Sequence, residues 1–376
     1  MENNKFYSIT SILLENFRNY KNLLVQTDNK SVFIAGHNGA GKTSILEAIS
    51  LLYPGKGMRG ASGEEIMHNQ KDLWSVYSKI KVNDEEYTIG TALTNQNNKT
   101  HKRIIKINSE LVKSANELTK HISLLWLTPQ MEPIFISGVQ NRRKYLDRMV
   151  YNFDSDHARK ITKYEKKLKE RQILLKSQNY DNEWVKVIEQ ELVKLNIEIA
   201  IARFKTIEII KQEISNFNSN FPRLKIEIKC EVTAEILRDR EHAVENITKY
   251  LFNNRKIDFL SGRTKYGVHK SDLEIRHFET DLPLSNCSTG EQKAMLVSLT
   301  IYQALAKKSL NHPSPILLLD EILTHLDKER SHELLKVIGN LKMQAWVTST
   351  DIDFWNEIDF PSKFLVIENS NIIKEV

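Results

Sequence analysis

Eight residues near the start of the chain have the composition and spacing of a phosphate-binding loop. The segment Gly36-His37-Asn38-Gly39-Ala40-Gly41-Lys42-Thr43 fits the pattern G-x-x-x-x-G-K-[ST]. The glycines let the backbone wrap closely around phosphate groups, and free N–H groups at a helix start favour their negative charge. In this pattern Lys42 reaches the β- and γ-phosphates, and the Thr43 hydroxyl ligates Mg²⁺. The segment therefore predicts a nucleotide site that uses Mg²⁺.

The residues on either side of this segment supply the elements that such a loop needs. Ser31–Ala35 is a short apolar run that predicts a buried strand. After the loop, apolar residues repeat at helical spacing, namely Ile45, Leu46, Ala48, Ile49 and Leu52. The competing interpretation is a chance match in a glycine–lysine turn. A strand before the turn and a helix after it favour phosphate binding instead.

Two adjacent carboxylates end a second apolar run, residues 315–319. The run predicts a buried parallel strand beside the phosphate loop. At its tip, Asp320 can hold the water shell of Mg²⁺, and Glu321 can polarise a water molecule for attack on the γ-phosphate. By itself an apolar run ending in Asp-Glu also fits a strand that meets a capped loop. Together with the phosphate loop, it predicts nucleotide hydrolysis.

A third polar segment, Ser288-Thr289-Gly290-Glu291-Gln292, precedes a long apolar helix predicted over residues 294–306. Ser288 with Glu291 three residues later forms the pattern of a capping box, which starts a helix. The alternative is a second anion site made by the Ser288 hydroxyl and the bare backbone of Gly290. The pattern alone leaves both interpretations open.

The composition is that of a folded protein with about two domains. The chain has 376 residues, of which 40% are hydrophobic and 27% charged, so a substantial core is expected. The net charge of +6 permits an anionic partner without requiring one. Cys230 and Cys287 lie far apart without metal-ligand spacing, which suits free thiols in a reducing cytosol. No signal-peptide run and no bilayer-length apolar segment is found, so we expect a cytoplasmic protein with no membrane role.

The remaining patterns predict the order of the elements. Tyr7–Phe17 and residues 23–26 read as strands, and three strand-like runs separated by turns predict an antiparallel meander over residues 74–82, 87–93 and 103–107. A strand at Leu124–Leu127 runs into Gln130. Residues 142–217 predict two long helices that form an antiparallel hairpin, with a break near 177–182. A strand over 224–232, a polar helix over 235–253 and a return to the sheet over 261–278 are expected to follow.

Two groups of cations could contact an anionic partner. The glycine-rich loop of residues 54–60 contains Lys56 and Arg59, and it predicts either a plain connector or a contact with phosphate. The first helix of the predicted hairpin carries many cations as well. A solvated helix face is the simpler interpretation of such a run.

These motifs carry a resemblance to the ABC ATPase superfamily. Ser288–Gln292 resembles its signature motif, Gln130 its Q-loop, and His325-Leu326-Asp327 its D-loop, whereas Thr350 stands where the switch histidine is expected. Within the superfamily the chain is similar to the RecF family of the SMC-like branch. That similarity spans nearly the whole chain and is carried by residues 15–20, 54–61, 126–150 and 267–273.

The resemblance implies an α/β fold: an ABC-type P-loop ATPase head, with a mixed sheet, helices and an antiparallel β subdomain, and an inserted helical-hairpin lid domain. The expected divisions are an N-terminal ATPase lobe at 1–130, the lid at 131–260 and a C-terminal ATPase lobe at 261–376. The catalytic residues would be Glu321 and Gln130. The ATP site would comprise Gly36–Thr43 with Ser288 and Gly290, and the Mg²⁺ site Thr43, Asp320 and Gln130.

The resemblance also implies how the protein would work. ATP would join two copies, each signature motif closing on the phosphate loop of the other copy, and slow hydrolysis would release them. The dimer would clamp duplex or gapped DNA, with single-stranded DNA as a further possible ligand, and would assist RecA loading together with RecO and RecR. Candidate DNA contacts are Lys56, Arg59, Arg142 and Arg143.

Two departures from the superfamily pattern bear on this expectation. Thr350 replaces the switch histidine, which suggests a slow hydrolase, and Thr289 replaces a glycine of the signature motif. The alternatives are another ABC-type ATPase, such as a transporter subunit, and a switch that binds ATP without acting on DNA. A small-molecule kinase would not need the Ser288–Gln292 segment.

Overall fold

The computed structural model describes residues 6–68, 71, 73–82, 84–96, 100–177, 181–217, 220–323 and 326–376. The chain divides into two compact units. The first comprises Met1–Glu132, Asn218–Pro222 and Ser288–Val376, and the second Pro133–Phe217 and Arg223–Cys287. The sequence-based division assigns residues 261–287 to the C-terminal lobe. In the structure they belong to the second unit: among the described residues, the strand at 272–277 pairs only with a strand of that unit.

The elements are numbered in chain order. The strands are β1 (Tyr7–Phe17), β2 (Tyr20–Gln26), β3 (Ser31–Ala35), β4 (Leu73–Val82), β5 (Glu85–Gln96), β6 (Thr100–Ile107), β7 (Glu110–Leu111), β8 (Leu124–Leu127), β9 (Leu224–Lys229), β10 (Asp272–His277), β11 (Ile316–Asp320), β12 (Ala345–Ser349), β13 (Ser362–Glu368) and β14 (Asn371–Glu375). The helices are α1 (Lys42–Ser50), α2 (Val139–Tyr151), α3 (His157–Lys176), α4 (Asn182–Asn216), α5 (Glu231–Arg238), α6 (Ala243–Asn253), α7 (Arg255–Ser261), α8 (Thr289–Ser309) and α9 (Lys328–Leu341). Among the described residues, no helix combines the length and apolar character needed to cross a membrane.

The first unit contains a mixed six-stranded sheet in the order β14-β13-β3-β12-β11-β8. All neighbours are parallel except the last hairpin, β13 with β14. The strands β3, β11, β12 and β8 are buried along their whole length, as strands covered on both faces should be. Strand β12 lies between β3 and β11. The strand that ends in Asp320 is therefore one strand removed from the phosphate loop, not its direct neighbour.

The same unit contains an antiparallel sheet in the order β2-β1-β4-β5-β6-β7. The meander predicted over β4, β5 and β6 is present with the expected pairing. Buried and exposed residues alternate along β2 and β4, because one face packs on the core and the other meets solvent. The Arg103 guanidinium ties this sheet to the loop after α1, since it donates to the Gly55 carbonyl at 2.6 Å and to the Thr91 hydroxyl at 2.9 Å.

The second unit packs α3, α4 and α6 around an apolar core that includes Ile188, Leu192, Ile199 and Leu251. The predicted hairpin is present as α3 and α4, whose pairing follows the 3.6-residue spacing of their apolar residues. Strand β10 returns to β9 in a separate two-stranded sheet. The expectation that residues 261–278 rejoin the main sheet is therefore wrong.

Two further boundaries differ from the prediction for the same physical reason. The first predicted helix is broken at residues 152–156, where Asp154 Oδ1 accepts the backbone N–H of Asp156 at 3.0 Å. The predicted helix over 235–253 is broken at 239–242, where Asp239 Oδ1 accepts the N–H of His242 at 3.1 Å. An aspartate that bonds its own downstream backbone competes with the helix.

The strand predicted to 232 ends at Lys229, because α5 begins at Glu231.

A buried hydrogen-bond and ion network around Arg171 joins five segments of the second unit. The Arg171 side chain is fully buried and donates to Glu189 Oε1 at 2.9 Å and to Asp258 Oδ2 at 2.7 Å. It also donates to the Thr264 hydroxyl and to the Leu251 carbonyl, both at 2.9 Å. The guanidinium thus makes four hydrogen bonds inside this unit.

Replacement of Arg171 by methionine should destabilise the second unit by about 3–5 kcal/mol, because the buried Asp258 carboxylate would lose its ion pair. Glu189 would keep its ion pair with Arg255. Helical circular dichroism in urea would measure the loss. Arg159→Met is the matched control. It removes an arginine whose side chain is 68% exposed, and it should leave the stability nearly unchanged. A similar cost for both variants would contradict the structural role of the network.

Candidate nucleotide-binding site

The predicted phosphate loop connects β3 to α1. Lys42 is the first residue of α1, and Gly41 before it has φ of 110°, a left-handed conformation that favours glycine. A Cβ atom at position 41 would lie 2.6 Å from the Tyr20 hydroxyl oxygen. The first turn of α1 contains no acidic residue and no side chain caps its N-terminus, so the helix dipole there favours an anion.

The Lys42 ammonium group is buried in the loop. It donates to the Gly36 carbonyl at 2.7 Å and to the His37 carbonyl at 3.2 Å. Its side chain is 3% exposed and lies 3.5 Å from Glu321 Oε1. The loop residues His37, Asn38 and Gly39 are exposed, so the outer surface of the loop is open to a ligand.

Asp320 is the meeting point of three elements. Its Oδ1 accepts the Thr43 hydroxyl of α1 and the Thr348 hydroxyl of β12, each at 2.8 Å. Burial raises the pKa of this carboxyl, and the neighbouring Glu321 carboxylate adds to the rise. The two hydroxyl hydrogen bonds and the Arg59 guanidinium act in the opposite direction. The predicted proximity of Thr43 and Asp320 is therefore present, although 277 residues separate them in sequence.

Glu321 follows β11 in an unusual backbone conformation. Its φ is 54°, in the left-handed region that residues with a side chain rarely occupy. Its N–H donates to the carbonyl of Thr348 at 3.2 Å and to the hydroxyl of Thr348 at 3.0 Å. This backbone turns the side chain toward Lys42.

Gln130 lies at the same edge of the sheet. Strand β8 is parallel to β11 with Leu127 opposite Leu319, and Gln130 follows β8 in a short 3₁₀ turn, exposed to solvent. Thr350, at the position of the switch histidine, is exposed directly after β12. The carboxyl ends of β3, β8, β11 and β12 therefore bring the phosphate loop, Gln130 and the two carboxylates to one edge, where open parallel sheets bind ligands.

The capping box predicted for Ser288 is present at the start of α8. Ser288 Oγ accepts the Glu291 N–H at 3.3 Å, and Glu291 Oε2 accepts from the backbone N–H and the hydroxyl of Ser288 at 2.8 and 2.7 Å. Ser288 is exposed, and a Cβ atom at Gly290 would meet no atom within 4 Å. Both residues are thus accessible to an anion from outside the chain. The D-loop residue His325 lies outside the described residues, whereas Asp327 caps α9.

The oxygen atoms at this edge of the sheet suit Mg²⁺ better than they suit a metal that binds protein side chains alone. No group of three or more histidine, cysteine or acidic side chains that could hold a metal is found within the described residues. Mg²⁺ keeps most of its water and binds through one or two protein oxygens together with phosphate. Thr43 and Asp320, whose oxygens are 2.8 Å apart, match that requirement.

A buried ion pair beside the loop was not predicted. Glu47 on α1 is fully buried and accepts two bonds from Arg18, at 2.9 and 2.6 Å, while Arg59 lies 3.6 Å away. The sequence signal was weak, since a glutamate in the middle of an apolar helical stripe is the only local sign. The pair fixes the phosphate helix to the turn after β1.

Three of the four residues predicted to contact DNA interact with other residues of this chain in the structure. Arg142 forms a two-pronged ion pair with Asp272, at 2.7 and 2.8 Å, and this bond raises its pKa. Arg143 donates to the Ser271 carbonyl at 3.0 Å, and Arg59 lies beside Glu47. Lys56 is exposed in its loop. A paired cation offers less net charge to DNA, so this assignment is weakest for Arg142.

The sequence is similar to that of known proteins over most of its length. Residues 8–372 match the family model of the RecF/RecN/SMC N terminal domain. The chain is 42% identical to the DNA replication and repair protein RecF of Rickettsia felis over 345 residues, covering 91% of this chain and 93% of that protein. It is 40% identical to the protein of the same name from Rickettsia canadensis, covering 91% and 94%.

Solved structures support the same fold. A structure described as the recombination mediator protein RecF-ATP in the RecFOR pathway superposes with a TM-score of 0.85 at 23% identity, covering all of both chains. An SMC head bound to the C-winged helix domain of ScpA gives 0.55 at 14% identity, covering 98% and 97%. The fold is thus that of an ABC-type ATPase head. Because the family model matches nearly the whole chain and the RecF relatives are 40–42% identical to it, the chain belongs to the RecF family of SMC-like ABC ATPases.

Proposed function

We propose that this protein is an ATP-dependent DNA-binding protein of recombinational repair. ATP would join two copies into a clamp on duplex or gapped DNA, and slow hydrolysis would release it. The observation that carries the proposal is the meeting of Lys42, Thr43, Asp320 and Glu321 at one edge of the sheet. The relatives at 40–42% identity, which are DNA replication and repair proteins, support the same role.

Binding would begin at the phosphate loop. The Lys42 ammonium would exchange its bonds to the Gly36 and His37 carbonyls for phosphate oxygens, which are stronger partners because they are charged. Thr43 and Asp320 would hold Mg²⁺, with Gln130 at the same edge as a further ligand. Bound there, Mg²⁺ would neutralise charge that develops on the phosphates.

Hydrolysis would depend on Glu321. Its carboxylate is the candidate general base that polarises a water molecule for attack on the γ-phosphate, and Gln130 would help to place that water. The 3.5 Å approach to Lys42 keeps the carboxylate beside the phosphate position. Thr350 supplies no imidazole at the switch position, so we expect a weak ATPase.

The site would be completed by a second copy of the chain. Ser288 and Gly290 would bind the γ-phosphate held by the partner's loop, and the exposed start of α8 supports this role. A two-fold pairing of this kind forms two identical composite sites. ATP would then act as part of the interface.

Ser288→Arg should leave ATP binding intact and abolish ATP-induced dimerisation, because a long side chain would fill the space between the two copies. Light scattering with and without ATP would measure the mass. Ser309→Arg, which adds the same charge at the other end of α8, is the control and should dimerise normally. A Ser288→Arg protein that dimerises with ATP as the control does would refute the composite site.

DNA would be held mainly through its phosphates. The net charge of +6 favours such contacts, and no base-reading motif is found in the sequence. Binding should therefore weaken steeply with salt and depend little on base sequence. A cytoplasmic location, and cooperation with RecO and RecR in RecA loading, come from the family resemblance.

The test of this function is the ATPase rate against protein concentration, with and without gapped duplex DNA. A rate that rises faster than linearly with protein, and rises again with DNA, is expected from a composite site on a DNA clamp. A linear rate that ignores DNA would support another ABC-type ATPase. Binding without turnover would support a non-hydrolysing ATP switch, an alternative that Glu321 argues against and that the missing switch histidine leaves open.

A further inference from the structure

One buried hydroxyl group touches both carboxylate residues of the site. Thr348 lies at the end of β12, is 0% exposed, and stands opposite Asp320 in the parallel register of β12 with β11. The switch position, to which the sequence directs attention, is two residues later at Thr350.

The Thr348 hydroxyl makes two hydrogen bonds of opposite sense. It donates to Asp320 Oδ1 at 2.8 Å and accepts the N–H of Glu321 at 3.0 Å. A hydroxyl has one hydrogen to donate and lone pairs to accept. The Thr348 hydroxyl therefore acts as a donor to one residue of the site and as an acceptor from the next residue in the chain.

The bond to Asp320 fixes its carboxylate from the side of the sheet. Asp320 Oδ1 accepts one hydrogen bond from the Thr43 hydroxyl on α1 and one from the Thr348 hydroxyl on the neighbouring strand β12. With a donor on each side, the side chain is confined to one rotamer. Confinement of this kind keeps a site in its productive geometry.

The bond to Glu321 fixes a strained backbone. A left-handed φ such as 54° is unfavourable for a residue with a side chain, and it persists only where surrounding contacts hold it. The Thr348 carbonyl and hydroxyl oxygens both accept a hydrogen bond from the Glu321 N–H. They thereby hold the Glu321 carboxylate within 3.5 Å of Lys42 Nζ.

We propose that Thr348 is a positioning residue for ATP hydrolysis, which holds the carboxylates of Asp320 and Glu321 in place without touching the nucleotide. The inference rests on the proposed ATPase function. It predicts that the hydroxyl matters for turnover and much less for ATP affinity, because Lys42 and the loop backbone bind the phosphates independently of β12.

The test compares three full-length variants with the unaltered protein. Thr348→Val keeps the shape and removes the hydroxyl, and Thr348→Ser restores it. Thr27→Val is the matched control. Thr27 is equally buried, and its hydroxyl likewise makes one hydrogen bond as a donor and one as an acceptor. It donates to the Ile9 carbonyl and accepts from the Gln344 side chain. ATP affinity is measured with a fluorescent ATP analogue, turnover by phosphate release, and stability by thermal unfolding.

Thr348→Val should lower kcat about ten- to hundredfold, the effect of losing hydrogen bonds to charged or strained groups, with ATP affinity within about twofold. Thr348→Ser should recover most of kcat, and Thr27→Val should leave kcat unchanged. Equal losses in Thr348→Val and Thr27→Val, or no recovery with serine, would overturn the positioning role. An unaltered protein without turnover would overturn the proposed function itself, and the inference with it.

Discussion

Lys42→Ala should abolish ATP binding at concentrations that saturate the unaltered protein. The ammonium group is the only charged side chain that the phosphate-loop motif directs to the β- and γ-phosphates. Its bonds to charged oxygens contribute about 1.5–3 kcal/mol each. Loss of two such bonds corresponds to roughly a hundredfold or greater loss of affinity. Equilibrium titration with a fluorescent ATP analogue measures the change.

The control for this variant is Lys30→Ala, which removes an exposed lysine just before β3 and should leave affinity unchanged. Thermal unfolding should show that Lys42→Ala is folded, since its lost partners inside the chain are two carbonyl groups of the exposed loop and the partly exposed Glu321. An affinity within about threefold of the unaltered protein would refute the assignment of the loop.

Glu321→Gln should bind ATP normally and hydrolyse it about 10²–10⁴ times more slowly, because glutamine keeps the size of the side chain and cannot accept a proton. The ATP-bound dimer should therefore persist. Size-exclusion chromatography after dilution, alongside single-turnover phosphate release, would show both effects. Glutamine removes a negative charge that lies 3.5 Å from Lys42 Nζ and beside the phosphate position. ATP should therefore bind at least as tightly as it does to the unaltered protein.

The control is Glu329→Gln, which makes the same change on the exposed first turn of α9. It should turn over and dissociate as the unaltered protein does. If the Glu321→Gln dimer dissociates at the unaltered rate, hydrolysis does not control release. If it hydrolyses ATP at that rate, another group is the base.

The sequence was sufficient for those parts of the site that local patterns encode. The loop Gly36–Thr43 and the strand before Asp320 follow from motif spacing and apolar runs, and the structure confirms their proximity. The breaks at Asp154 and Asp239 were missed, because an aspartate that bonds its own backbone leaves the apolar spacing of the helix unchanged. Thr348 and Glu47 were missed because their partners lie elsewhere in the chain. The register of β12 with β11 brings Thr348 opposite Asp320, and the packing of α1 against the turn after β1 brings Glu47 to Arg18.

The order of strands in the main sheet has a consequence for synthesis of the protein on the ribosome. Strand β3 pairs with β12 on one edge and β13 on the other, and both are made more than 300 residues later. The second unit, residues 133–287 apart from a short gap, is complete long before them. Co-translational folding can thus finish the second unit while both edges of β3 stay open, a state prone to aggregation. Because β12 lies between β3 and β11, the carboxylates that follow β11 can take their places beside the phosphate loop only after β12 has been made. A nascent chain that lacks β12 should therefore be unable to hydrolyse ATP.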